Sequence, residues 1–119
     1  MKVDRRDHYL ETLGNVPPAI STMFEMDDEF AQCYTDIREL IYRERPDGLD
    51  LSIKELLLVA FDLAVGNVAG AQNHLRAARR AGLTDTQLKE MLMGAFLVLG
   101  VSGWGQVGYE LWKSRQDPM

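Results

Sequence analysis

With 119 residues, 46% hydrophobic and 26% charged content, the chain is expected to fold as one globular domain, 1–119, large enough to bury a core. Thirteen Lys plus Arg against eighteen Asp plus Glu give a net charge of −5, and no segment gathers enough cations to follow a phosphate backbone, so nucleic acid is not an expected partner. The single cysteine, Cys33, excludes an intrachain disulfide and a four-cysteine zinc site, which suits a reducing, cytoplasmic setting.

The charged N-terminal segment 1–7 lacks the apolar stretch of a signal peptide. Asp4 to Leu13 suits a short helix ended by Gly14-Asn15, and Pro17-Pro18 opens the next segment as proline suits a first helical turn. From Asp27 or Asp28, either of which can cap, Phe30, Cys33, Tyr34, Ile37, Leu40 and Ile41 recur at helical steps to about Glu44. Cys33 reads there as a small packed hydrophobe, with no neighbouring group to activate it.

Arg45-Pro46-Asp47-Gly48 is a turn signal, and the next helix opens at Ser52-x-x-Glu55, a capping-box spacing. Leu56 to Val65 is apolar except for Asp62 and too short to span a bilayer. After an interruption near Gly66, Asn67 to Ala81 forms a helix stopped by Gly82, with Arg76, Arg79 and Arg80 in last turns that favour cations. Thr84-x-x-Gln87 is a second capping box, opening Gln87 to Leu99, and Val101 to Arg115 follows Gly100 as a last helix. No strand pattern competes. The Leu56–Phe61 and Met91–Leu99 stretches are apolar on more than one face, which predicts a homo-oligomer.

His74 is the most informative polar residue, because it interrupts a small, apolar helical stretch and can exchange a proton near neutral pH. Asn67, Gly70 or Ala71, and His74 share a helix face, so a pocket beside the imidazole would be lined by an amide and by residues too small to fill it. The alternative is a histidine hydrogen-bonded within a helix interface. Glu55 reads from its spacing as the fourth member of a capping box. His8 is expected to be solvated. Two histidines with no cysteine beside them do not build a zinc site, so no metal is expected. Trp104 and Trp112 read as packing residues, with Trp104 able to wall a pocket.

Leu51-Ser52-Ile53-Lys54-Glu55-Leu56-Leu57, then His74, then Ala78-x-x-Ala81-Gly82-Leu83-Thr84-x-x-Gln87-x-x-Glu90 resembles the carboxymuconolactone decarboxylase and alkylhydroperoxidase D-like family. The resemblance implies an all-α helical bundle of about six helices, assembled as homotrimers or homohexamers with a site at a subunit interface. In the peroxidase branch a C-x-x-C pair precedes the histidine. Here those positions are Asn67 and Gly70, so a dithiol cycle is chemically excluded there. Glu55 and His74 match the relay positions, and their retention implies acid–base chemistry without a cofactor.

The function expected is a decarboxylase-like lyase of aromatic-compound catabolism, acting on a small organic acid or lactone. His74 and Glu55 would be catalytic, and Asn67, Gly70, Asn73 and Trp104 would bind substrate. Arg38, Lys54 and Arg76 are candidate cations for an acidic substrate. A non-catalytic oligomeric binding protein is the alternative, and a peroxidase-related activity a weaker one.

Overall fold

The computed structural model describes residues 4–116, and every regular element among them is helical. Chain contacts group into two units, Met1–Pro46 and Asp47–Met119.

The first unit holds α1 (Asp7–Leu13), α2 (Pro18–Met26) and α3 (Asp28–Tyr42). Pro18 occupies the first turn of α2, where its missing N–H would have had no helical acceptor. Asp27 then caps α3 by accepting from the Phe30 N–H at 3.0 Å.

The stripe expected to face inward on α3 instead faces out. Phe30, Cys33, Ile37, Leu40 and Ile41 are exposed, and the buried positions are Ala31, Thr35 and Arg38. Hydrogen bonding decides the orientation. The Tyr9 hydroxyl meets Thr35 Oγ1 at 2.8 Å, and Thr35 donates back to the Ala31 carbonyl. Arg38 donates through Nε to His8 Nε2 and through Nη2 to Thr12, each at 3.3 Å, and its guanidinium lies over the Tyr9 and Tyr42 rings. Cys33 is therefore an exposed thiol rather than a packed one. His8 is half-buried rather than solvated, and burial, then the charge of Arg38, holds its pKa below the usual histidine value.

The second unit comprises α4 (Leu51–Ala64), α5 (Val68–Arg80), α6 (Asp85–Gly103), a π-helical turn (Trp104–Gly108) and α7 (Tyr109–Ser114). Helix α4 begins at Leu51 behind an extended Asp50, so Ser52 lies inside the first turn and no side chain caps the end. The box expected at Ser52 and Glu55 does not form, because the helix starts too early for Glu55 to be its third residue. The Thr84 and Gln87 box does form, with reciprocal bonds of 3.1 and 3.0 Å, and it starts α6 at Asp85.

Val59 and Leu63 of α4, Ala71, Leu75 and Ala78 of α5, Leu88 and Leu92 of α6, and Val107 and Leu111 make one buried cluster. Full burial of each large side chain contributes about 1.5–3 kcal/mol. Gly100, at φ 70° and ψ −168°, breaks α6 where the sequence places a boundary. That backbone region is essentially glycine-only, so the break is written into the residue type. On either side of it Leu97 and Val98 remain 86% and 82% exposed, together with Met93, Phe96 and Val101. The Asp85–Ser114 run is long and apolar enough by length and composition to cross a bilayer, with 17% of its apolar window buried.

Candidate acid–base site

The turn through Val65 and Gly66 brings α5 back along α4, and the Asn67 N–H closes it on the Asp62 carbonyl at 2.8 Å. Glu55, Val59 and Leu63 are buried at four-residue steps on α4, and α5 presents His74 between Ala71 and Leu75. Glu55 is 1% exposed, so its carboxylate needs a partner inside the protein. It finds one at 2.7 Å, where His74 Nδ1 donates to Glu55 Oε2. An ionised carboxylate can only accept, so the proton between the two groups is assigned to the ring nitrogen. This assignment leaves Nε2 as the nitrogen available for chemistry. Glu55 Oε1 is buried with no hydrogen-bond partner among the described residues.

Nε2 looks toward a second carboxylate, with Asp62 Oδ2 at 3.9 Å. Asp62 is steadied by the Asn67 amide, whose Nδ2 donates to Asp62 Oδ1 at 3.4 Å. The other end of that amide is committed as well, because Asn67 Oδ1 accepts from the Gly70 N–H at 3.1 Å and caps α5. A Cβ at Gly70 would stand 2.5 Å from Asn67 Nδ2 and 2.6 Å from Asp62 Oδ2, so glycine makes the room that the two side chains occupy.

Of the residues singled out in the sequence, Glu55 and His74 are in direct contact, and Asn67 and Gly70 reach the same place through Asp62. Asn73 and Trp104 do not. Asn73 accepts a 2.5 Å bond from Arg76, which also occupies that candidate cation. Arg38 is engaged in the first unit by His8 and Thr12. Trp104 lines a different cavity of about 420 Å³ with Lys89, Leu92, Met93, Phe96 and Trp112, and neither His74 nor Glu55 borders it. Among the described residues no group of three or more His, Cys, Asp and Glu side chains is arranged to hold a metal ion.

Asp62 is the residue that sequence reasoning passed over. Its signal was present: a lone carboxylate in an apolar run, seven positions after Glu55, falls two turns along the same helix face.

The sequence profile of the carboxymuconolactone decarboxylase family matches residues 28–106. The chain belongs to the carboxymuconolactone decarboxylase family. A crystal structure from Burkholderia xenovorans LB400, whose protein is provisionally assigned as a carboxymuconolactone decarboxylase, is 31% identical with a TM-score of 0.84. The alignment covers 92% of this chain and 84% of that one. No curated protein matches. In this family member the two positions that carry thiols in the peroxidase branch are spent otherwise, Asn67 on the cap of α5 and Gly70 on clearance for Asp62.

Proposed function

We propose that this protein is a cofactor-independent acid–base enzyme of decarboxylase type, acting on a small organic acid or lactone. His74 is the proton donor and Glu55 the carboxylate that orients it. The observation that carries this reading is the 2.7 Å bond from His74 Nδ1 to a carboxylate that is itself almost wholly buried. A buried carboxylate fixes the ring, selects Nε2 as the reacting nitrogen and stabilises the imidazolium that must exist before a proton is given away.

Loss of carbon dioxide from a carboxylate attached to a conjugated lactone leaves an electron pair that the ring system holds. Nε2–H then delivers one proton to a carbon of that delocalised anion. Neither metal nor organic cofactor is required for these steps. The imidazole keeps 13% of its side chain exposed, whereas Glu55 keeps 1%.

The same reading makes the protein a cytoplasmic homotrimer or homohexamer. Leu57 and Phe61 of α4, with Leu97, Val98 and Val101 of α6, present apolar area that a second copy would remove from water. A second functional reading, a non-catalytic binding protein, is favoured by one observation. The apolar cavity of about 420 Å³ is in the size range of small-molecule sites and lies away from His74.

Release of carbon dioxide from carboxymuconolactone and related unsaturated lactone acids tests the proposal. Turnover that disappears in His74→Asn is the expected result. Saturable binding without turnover across the panel, unaffected by His74→Asn, would favour the binding reading instead.

A further inference from the structure

The His74 ring stands between two carboxylates of unequal character. Glu55, on Nδ1, has 1% of its side chain exposed, whereas Asp62, opposite Nε2, has 23%. The charged groups within ion-pair distance of the imidazole among the described residues are these two, both from α4. Helix α7, which also packs on α5, places Glu110 and Lys113 beside Gln72 instead. The separation of 3.9 Å between Nε2 and Asp62 Oδ2 is too long for a hydrogen bond, and a shift of roughly 1 Å would close it. Among the described residues Asp62 has only the single 3.4 Å bond from Asn67 to oppose that shift. It also sits in space that any side chain at position 70 would take.

We infer that Asp62 is the positioning and proton-exchange residue for His74 Nε2, linking the reacting nitrogen to solvent while Glu55 holds the opposite nitrogen. The inference rests on the His74-centred reading and assigns a role that neither Glu55 nor His74 can fill. Glu55 is sealed from water, so a proton spent by Nε2 cannot return through it. Asp62 is partly exposed and adjoins the nitrogen that is left without a proton. After Nε2–H has given its proton to the substrate carbon, the Asp62 carboxyl takes one proton from solvent and passes it to Nε2. His74 and Asp62 end as they began, and one solvent proton is consumed for each carbon dioxide released. Asn67 and Gly70 become the support for this arrangement, one as its anchor and the other as its clearance.

The test follows the His74 ring nitrogens by ¹⁵N NMR as a function of pH in the full chain, which needs no substrate. Asp62→Asn should lower the titration midpoint of His74 relative to wild type by about half a pH unit or more, the consequence of losing a nearby opposite charge. Asp62→Glu, which restores the charge, should recover most of that shift, a recovery that a purely structural role would not give. Glu55→Gln should also lower the midpoint. An unchanged midpoint in Asp62→Asn together with a shifted one in Glu55→Gln overturns the role of Asp62 and leaves the His74 reading standing. No shift in either variant removes both. Should Asp62→Asn fail to fold, Gly70→Ala displaces the same carboxylate by steric contact alone, and a midpoint equal to wild type in that variant counts against the inference.

Discussion

The two amides that most resemble histidine should behave differently at position 74, because Glu55 is bonded to Nδ1 and not to Nε2. An asparagine amide nitrogen is the same number of bonds from Cα as Nδ1, so His74→Asn can keep donating to Glu55 Oε2. A glutamine amide reaches one atom further, toward the place of Nε2 and Asp62, and leaves Glu55 without its donor. With 1% exposure, that carboxylate has no water to replace the bond, and its Oε1 is already unpartnered among the described residues. Orphaning a buried polar group costs about 1–3 kcal/mol, and a buried charge about 3–5 kcal/mol. For His74→Gln we therefore expect a loss of about 3 kcal/mol, which for a chain of this size lowers Tm by roughly 10–15 °C. His74→Asn should lose about 1 kcal/mol, mainly from reduced ring packing. Urea unfolding at pH 7.5, followed by circular dichroism, measures both values on the same scale. Equal stability of the two variants, whether both high or both low, would refute the reasoning that the Nδ1 bond is what satisfies Glu55. Both variants should lack turnover, since neither amide exchanges a proton near neutral pH.

Replacing Gly100 by Ala should cost about 1–3 kcal/mol from backbone strain alone, as the space around it is open, and a urea midpoint equal to wild type would contradict the φ of 70°. His8 has a folded pKa below its unfolded value, so its contribution to stability is fully present above about pH 6.5 and is lost as pH falls through the folded pKa. The loss arises because burial, and then the charge of Arg38, disfavours protonated His8, and His8→Gln should flatten the acid limb of a stability-against-pH curve. Cys33→Ser should change stability by no more than about 0.5 kcal/mol, being an exposed substitution. Peroxide consumption with a dithiol reductant should be absent in both forms, and strong turnover lost in Cys33→Ser would reverse the assignment. Leu97→Glu places a charge on a side chain that is 86% exposed in the single chain. It should therefore leave helix content intact while reducing the sedimenting species to monomer, and an unchanged oligomer would remove this face from the interface.

The pattern of helices was legible because its signals are local. Asp27 and Thr84 cap where they stand, Pro18 fits a first turn, and Gly100 adopts a conformation almost closed to other residues, so each boundary depends on a few neighbouring backbone groups. The facing of α3 was not legible, because its apolar stripe and its polar stripe are both regular. What turned Thr35 and Arg38 inward was the presence of Tyr9, His8 and Thr12, which lie 26 to 30 residues away in the chain.

The candidate site divides along the same line. The sequence marked His74 as a titratable group in an apolar helix, the family resemblance placed Glu55 with it, and the residue types at 67 and 70 excluded a thiol pair there. Only the tertiary structure removed the capping-box reading of Glu55. Helix α4 begins at Leu51, the capping box is lost, and the carboxylate is carried under α5 to His74 Nδ1. Only the fold, likewise, separated Trp104 from the imidazole and brought Asp62 to it, over a glycine whose missing Cβ leaves the space. A helix period tells which residues share a face, but burial and hydrogen-bond partners are set by the helix packed against that face, and the chain order does not contain that distance.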